Sequence, residues 1–275
     1  MRIESLRSKL NYLGKIGPDM AGLQAMRETA EYLLTGVHVK AFGQSIRLLE
    51  IEFYLRSESH PDPFTHCHPI QKRLGCWYLH RVGNGYRGGS FKGLDLTFGN
   101  RDYHGGVLIR SIQAGEKVVS GPSKSVDHLL RLANLDQVRD LDDRIGEISA
   151  LDETNPVHLV TTEPRGETVY SSARVGLAFR GLDAPETGEA YFLRRYRFLR
   201  EPRAIKKGRL QLILALLSDG LDTEQVHQVT GSPRHAIRRY VELAATADGQ
   251  VSDYHRVAIG TKELCTLAGI FGDRS

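Results

Sequence analysis

The chain has 275 residues, 40% of them hydrophobic, and a formal net charge of +4, which suits one large domain or two smaller ones. No apolar run approaches the roughly 18 residues that a membrane span needs, and the first residues lack the apolar core of a signal peptide. The three cysteines are sparse and odd in number, which does not suit a disulfide framework. We therefore expect a cytoplasmic protein with no membrane partner.

The first 35 residues predict helices, because apolar residues recur at helical spacing up to a stop at Gly36. Residues 37–55 alternate like strands, and residues 56–105 are rich in glycine and turn signals. An amphipathic helix is predicted over residues 125–135. Further strands are predicted at residues 76–80, 94–98, 106–112, 157–162, 173–179 and 191–199.

This order of elements predicts an α+β fold. Residues 1–200 are expected to form a domain with a mixed antiparallel, curved sheet and flanking helices. Residues 201–275 are expected to form a small all-α domain, since the composition changes after Pro202.

The C-terminal part contains a pattern typical of a helix-turn-helix. A helix capped near Asp222 or Thr223 is expected to end at Gly231, and Ser232 is expected to cap a second helix that has Pro233 in its first position. The inner faces are assigned to Val226, Val229, Ile237 and Val241. On this interpretation the second helix presents Arg234, His235, Arg238 and Arg239 to DNA. A helical bundle without DNA contact, or a partner surface, stays open as the alternative.

A basic segment lies between Ala190 and Leu210, where eight Lys or Arg residues stand against one Glu. Such a block suits a phosphate backbone, whereas a solvated surface is the plainer alternative. We assign DNA contacts here to Arg194, Arg195 and Arg197.

Glu52 is the residue on which we centre the functional interpretation. It lies with Glu50 in an apolar strand, and their spacing of two residues puts both carboxylates on one face. Burying acids is unfavourable unless partners or a function compensate. A His-rich loop follows, and a second strand carries Arg110. A carboxylate, an imidazole and an arginine on a rigid scaffold can hold and deprotonate a water.

Five segments occur in the order known from the alkyladenine (3-methyladenine) DNA glycosylase family, which the N-terminal part therefore resembles over roughly residues 25–200. They are Leu-Glu-Ile-Glu-Phe-Tyr-Leu at 49–55, Asp-Pro-Phe-Thr-His at 62–66, Val-Leu-Ile-Arg-Ser at 107–111, Ser-Gly-Pro-Ser-Lys at 120–124 and Ala-Arg-Val-Gly-Leu at 173–177. The closing basic strand of the family is similar to residues 193–199.

The resemblance implies a role for each matched residue. Glu52 is the general base that activates water against the sugar, and Arg110 and the carbonyl of Val175 help to hold that water. His66 reaches the sugar-phosphate or the water, and Tyr54 stacks on the extruded base. Lys124, in the segment that opens a helix, is assigned to DNA.

Departures from the family pattern concern the base pocket. His80 stands where the family has a second stacking tyrosine, Asp95 stands where it has a base-reading asparagine, and a Gly-rich insertion spans 82–90. Tyr86 within this insertion is the candidate for the residue that wedges into the duplex. These changes favour a roomier and more polar pocket, since an acid accepts hydrogen bonds from hydroxyls or amines.

The sequence therefore predicts a monofunctional DNA glycosylase that acts on double-stranded DNA as a monomer and leaves an abasic site. The histidines at 60, 66 and 68 with Cys67 match no common zinc spacing, so we expect neither a metal nor a cofactor. A bulky modified base, such as the glucosylated hydroxymethylcytosine of phage DNA removed in bacterial defence, is favoured slightly over alkylpurine repair. A non-enzymatic DNA-binding regulator is the third alternative.

Overall fold

A computed structural model describes residues 2–17, 19–164 and 166–272, without the side chains of residues 2 and 272. The chain has an α+β fold with an antiparallel sheet, as predicted. Contacts divide it into two compact units. Unit 1 comprises Met1–Val169 and Phe198–Arg200, and unit 2 comprises Tyr170–Arg197 and Glu201–Ser275. This division differs from the predicted boundary at residue 200 in assigning Tyr170–Arg197 to the second unit.

The helices and strands are numbered here in chain order. The α-helices are α1 (Arg2–Leu13), α2 (Met20–Gly36), α3 (Pro122–Ala133), α4 (Val138–Ile145), α5 (Pro185–Phe192), α6 (Arg209–Ser218), α7 (Thr223–Thr230), α8 (Arg234–Ala245) and α9 (Thr261–Gly272). The strands are β1 (Val37–Ala41), β2 (Gln44–Arg56), β3 (Leu74–Leu79), β4 (Arg81–Val82), β5 (Gly85–Tyr86), β6 (Leu94–Phe98), β7 (His104–Ala114), β8 (Lys117–Ser120), β9 (Val157–Thr161), β10 (Tyr170–Ser172) and β11 (Arg197–Leu199). Within the described residues, no helix is long and apolar enough to cross a membrane.

The sheet of unit 1 is built around the pair β2 and β7, which run antiparallel over most of their length. The order across the sheet is β11, β2, β7, β6 and β3, while β1 joins β2 to β9, and β8 pairs with the far part of β7. On one face of the sheet, Phe53 contacts Phe98 and Phe198 edge to face, with ring centroids 6.2 and 5.6 Å apart. Burial of these side chains anchors the strands that carry the polar residues of the other face.

Helix α2 begins where the sequence favours it. Asp19 accepts a hydrogen bond from the backbone N–H of Gly22 over 2.8 Å and so caps the helix. Its apolar stripe, which includes Ala30, Leu33 and Leu34, is buried. The predicted N-terminal helices and the strands over residues 37–55 are therefore confirmed.

Two predicted strands are wrong. Residues 173–179 have no regular strand, and the stretch 191–199 contains the end of helix α5, a turn and then only the three-residue strand β11. The stretch 191–199 is rich in aromatic and branched residues, which favour strands, but Pro185 begins a helix that continues through Tyr191 and Phe192. Local propensity is overridden here by the preceding helix start.

Unit 2 contains the predicted pair of short helices. Asp222 and Gln225 form a reciprocal capping box at the start of α7, and Gly231 ends it in the left-handed conformation, with a φ of 68°. Helix α8 begins with Pro233 as its cap residue and no side-chain cap, so the predicted capping by Ser232 is wrong. The Ser232 hydroxyl is buried without a described hydrogen-bond partner.

The inner faces of these two helices are partly as predicted. Val226 and Ile237 are fully buried, whereas Val241 is 40% exposed and does not belong to the inner face. Helix α9 lies close to α8, because a Cβ atom at Gly269 would come within 2.2 Å of the Ala244 carbonyl oxygen. Only a glycine allows the two backbones this approach.

Candidate active site

The strands β2 and β7 bring Glu50, Glu52 and Arg110 together. Two successive register shifts interrupt their pairing, so that Glu50 lies opposite Ser111 while Ile51 lies opposite Ile109. Arg110 is thus the extra residue of β7 at this irregularity, a device that often re-aims a side chain at functional sites. Arg110 Nε donates to Glu50 Oε1 over 3.0 Å, and its Nη1 donates to Glu52 Oε2 over 3.2 Å.

All three side chains are almost completely buried, with exposed fractions of 1% for Glu50, 0% for Glu52 and 3% for Arg110. The Ser111 hydroxyl donates a short hydrogen bond to Glu50 Oε2. Burial acts to lower the pKa of the Arg110 guanidinium, but Glu52 and Glu50 raise that pKa by more, so Arg110 stays charged. The cluster holds one fixed cation between two carboxylates.

Tyr54 is the half-buried member of this cluster. Its hydroxyl donates to Glu52 Oε2 over 2.9 Å, and the residue is half-buried rather than closed off. The predicted neighbours Glu52, Tyr54 and Arg110 therefore meet. Glu50 and Ser111 were not predicted as site residues, and only the i,i+2 spacing of the two acids pointed to Glu50.

A row of directly opposite residues connects Glu52 to the predicted base pocket. Glu52 lies opposite Leu108, Leu108 lies opposite Asp95, and Asp95 lies opposite Tyr78. Residues that face each other across antiparallel strands project from the same side of a sheet. Glu52 and Asp95 are thus on one face, two strand spacings or about 10 Å apart.

Asp95 is 2% exposed and is held by two partners. His80 Nε2 lies 2.7 Å from Asp95 Oδ1, and Gln71 Nε2 donates to Asp95 Oδ2 over 3.1 Å. Gly106, opposite Tyr54, leaves the room for this, because a Cβ atom there would lie 2.6 Å from Asp95 Oδ2. The predicted pair His80 and Asp95 is a joined unit, and Gln71 is a member that the sequence did not indicate.

His66 lies over His80, with ring centroids 4.3 Å apart, and its Nδ1 is 3.4 Å from the Tyr78 hydroxyl. The protein packed around the ring, together with the neighbouring His80, lowers the pKa of His66 to about 4, although by surface area the residue is exposed. Burial likewise raises the pKa of the Tyr78 phenol to about 12. Both groups are therefore neutral at pH 7. His66 thus lies with His80 and Tyr78, beside Asp95.

In the part of the chain that the structure describes, no three His, Cys, Asp or Glu side chains are grouped so that they hold a metal ion. The histidines around Tyr78 serve instead as ring contacts and caps. His68, for example, stacks on Tyr78 at 4.8 Å and accepts a hydrogen bond from the Ile70 N–H.

The hairpin of β4 and β5 carries Tyr86, the predicted wedge. Tyr86 donates to Asp142 Oδ2 over 2.7 Å, and the Arg81 guanidinium lies 4.5 Å above its ring and bonds the same Asp142 oxygen. A side chain held on both its ring face and its hydroxyl is not free to enter a duplex, so the wedge assignment does not fit this position. Phe91, 71% exposed in the next segment, and Val82, 65% exposed in β4, are large apolar side chains that are exposed in this region, and Phe91 is the aromatic one.

The predicted DNA-contacting cations have different environments. Lys124 is exposed in the first turn of α3. Arg195 is paired with Asp219 at 2.7 Å, and Arg194 donates to the Ala190 carbonyl. Arg197 is fully buried and donates to Ser172 Oγ and to the Gly208 carbonyl, so its assignment to a DNA contact is wrong. The basic sequence around Arg197 gave no sign that its side chain would be buried.

On helix α8 the side chains of Arg234 and Arg238 are exposed, as a DNA contact requires. Arg234 forms an ion pair with Glu224 at 2.6 Å across the turn between the two helices. Val175 belongs to unit 2, where its side chain lies against Gly208, and the proposed role of its carbonyl stays a prediction.

No family model matches the chain. Uncharacterized protein L759 of Acanthamoeba polyphaga mimivirus is 34% identical to it over 170 residues, which cover 55% of this chain and 77% of the viral protein.

Proposed function

The chain belongs to one family with the uncharacterized mimivirus protein L759, and we propose that it is a monofunctional DNA glycosylase that removes a modified base from duplex DNA. The observation that carries the proposal is the set of charges on one sheet face. Glu52, fixed by Arg110 and Tyr54, shares that face with the His80–Asp95 pair.

Hydrolysis of an N-glycosidic bond needs an acceptor for the proton of water and a negative charge near the sugar, which gains oxocarbenium character. Glu52 supplies the acceptor, and Glu50 keeps Arg110 oriented beside it. No lysine flanks Glu52 in the sequence to act as a Schiff-base nucleophile, which favours water as the nucleophile and an abasic site as the product.

The base is proposed to enter between Tyr54 and the His80–Asp95 pair. Flipping a nucleotide out of the stack costs a few kcal/mol, and an aromatic platform returns roughly 1–3 kcal/mol per stacked base. Asp95 and Gln71 are hydrogen-bonded to each other on this side of the sheet, and this polar pair favours a modified base with added polar groups as the proposed substrate. An alkylated purine is the alternative substrate.

The test uses three duplexes that carry glucosylated 5-hydroxymethylcytosine, 7-methylguanine or hypoxanthine. Alkali after incubation cleaves the strand wherever an abasic site has formed. We expect scission of at least one duplex by the wild type and a loss of roughly 100-fold or more with Glu52→Gln. Glu58→Gln, which changes an exposed acid of the next loop, is the matched control and is expected to act like the wild type.

Complete burial of Glu52 favours a second candidate, a DNA-binding protein without catalysis. A carboxylate with 0% exposure that is paired with a buried arginine can serve structure alone. This candidate requires tight binding to the three duplexes with no scission of any of them. Equal scission by the wild type and by Glu52→Gln would contradict the assigned role of Glu52.

A further inference from the structure

Glu52, the general base of the proposed reaction, is buried and hydrogen-bonded to a tyrosine hydroxyl. Glu52 has 0% exposed surface and its partner Arg110 has 3%. Tyr54, in contrast, is half-buried, and its hydroxyl donates to Glu52 Oε2 over 2.9 Å. Tyr54 is therefore the member of this hydrogen-bonded group that keeps exposed surface, and its hydroxyl directly contacts the buried carboxylate.

We propose that the Tyr54 hydroxyl relays the proton from the attacking water to Glu52, an inference that rests on the proposed glycosylase function. The water oxygen bonds to the anomeric carbon and gives one proton to Tyr54 Oη. Tyr54 at the same time passes its own proton to Glu52 Oε2, which becomes a carboxylic acid. The electrons of the C–N bond leave with the base, which takes a proton from solvent where its ring nitrogen needs one.

Tyrosine suits this task for two reasons. A phenol hydroxyl donates one hydrogen bond and accepts others at once, so it stays neutral before and after the transfer. The hydroxyl also lies at the far end of the side chain from the ring faces that the proposed stacking uses. Tyr54→Phe therefore removes the relaying oxygen and keeps the ring.

Arg110 makes the relay directional. Its Nη1 donates to Glu52 Oε2, the oxygen that also accepts from Tyr54, and this fixes the acceptor atom opposite the phenol. Its Nε is held by Glu50, so the guanidinium does not rotate away. A proton transfer needs donor and acceptor at hydrogen-bond distance before the reaction begins, which this arrangement provides.

The experiment compares Tyr54→Phe with Tyr103→Phe in the full-length protein. Tyr54→Phe keeps the ring and removes the relaying oxygen. Tyr103→Phe removes a hydroxyl that is buried and has no described hydrogen-bond partner, so it controls for the loss of a tyrosine oxygen. The readout is the single-turnover rate of abasic-site formation on the three duplexes named above, with duplex affinity and melting temperature measured beside it.

We expect Tyr54→Phe to lower the rate roughly 100-fold, a typical contribution of positioned proton transfer, with affinity unchanged within about twofold. The double variant Glu52→Gln with Tyr54→Phe should be no slower than Glu52→Gln alone, since both remove one chain of transfers. In mixtures of light and heavy water, the wild-type rate should depend on the deuterium fraction as expected when two protons are transferred in the rate-limiting step.

A Tyr54→Phe rate within about twofold of the wild type would overturn the relay, while the loss caused by Glu52→Gln would still uphold the glycosylase. A weaker duplex affinity with an unchanged rate would assign Tyr54 to stacking alone and overturn the relay too. Absence of abasic sites with the wild type on all three duplexes would overturn both proposals.

Discussion

The Asp95 carboxylate lies directly against the backbone of Gly106. A Cβ atom at position 106 would lie 2.6 Å from Asp95 Oδ2 and 2.9 Å from Gln71 Nε2. Gly106 lies opposite Tyr54 on one side and opposite Thr97 on the other. At Gly106, the strand that carries Arg110 therefore leaves room for the Asp95 carboxylate, the acid of the proposed base pocket.

Substitution of Gly106 by alanine should separate Asp95 from Gln71. The displaced carboxylate would lose a hydrogen bond in a buried position, which costs about 1–3 kcal/mol of the free energy of unfolding. Urea denaturation measures this loss. Gly88→Ala is the control, because a Cβ atom there meets nothing within 4 Å and its φ is −104°. Equal stability of the two variants would contradict the contact at Gly106.

Replacement of Arg110 by leucine should strongly destabilise the protein. It leaves Glu50 and Glu52 buried without their cation, and breaking a buried pair in this way costs about 3–5 kcal/mol at pH 7. Urea denaturation at pH 7 tests this, with the exposed Arg101→Leu expected to stay within about 0.5 kcal/mol of the wild type.

His66 should make stability depend on pH in the acidic range. Its pKa is about 4 in the folded chain against 6.5 for the free side chain, so only the unfolded chain takes up the proton between these values. This contribution to stability is fully present above pH 6.5 and is lost as the pH falls toward 4, and solvent around the exposed residue reduces its size. His66→Asn should flatten this decline, and the exposed His235→Asn should not.

Phe91, rather than Tyr86, is expected to enter the duplex when a base is flipped. Phe91→Ala should lower the excision rate on a duplex by about tenfold, since an apolar wedge offsets part of the unstacking. The rate on the same strand without its complement should not change. Tyr12→Ala, which removes another exposed aromatic side chain, should leave both rates unchanged. A loss with Tyr86→Phe alone would restore the original assignment.

Arg238 on helix α8 is expected to contact a DNA phosphate. Arg238→Ala should weaken binding to all sequences alike and reduce the slope of log affinity against log salt by about 1. Filter binding or fluorescence anisotropy at four salt concentrations measures the slope. Arg101→Ala, an exposed arginine of unit 1, is the matched control. An unchanged slope would leave the helix pair as a partner surface or a plain bundle.

Much of unit 1 follows from local sequence. The strand over residues 94–98 has the predicted bounds, and Arg110 meets Glu52 from a strongly apolar strand that was predicted where it is found. The register shifts beside Glu50, which make Arg110 the extra residue of its strand, were not predictable from the local pattern. The conformation of such strongly apolar strands can be predicted from their own sequence.

Other features depend on residues far apart in the chain. Gln71 meets Asp95 across 24 residues, and Tyr86 meets Asp142 across 56, so no local pattern indicates either contact. Arg197 occurs in a basic segment that suggests a surface, yet it fills its hydrogen bonds inside unit 2. A run of charged residues in the sequence does not show which of them are exposed. Whether a charged side chain is buried depends on the hydrogen-bond partners that folding brings near it.

The second acid of the central cluster has a consequence for repeated turnover. When Glu52 takes up a proton it ceases to balance the guanidinium, and a lone cation in a dry interior is strongly unfavourable. Glu50, held by the Ser111 hydroxyl, remains as counterion, so Arg110 is never left without one. In the proposed reaction, the resting and the protonated forms of Glu52 can therefore share one scaffold, and the site would reset by losing a proton rather than by refolding its centre.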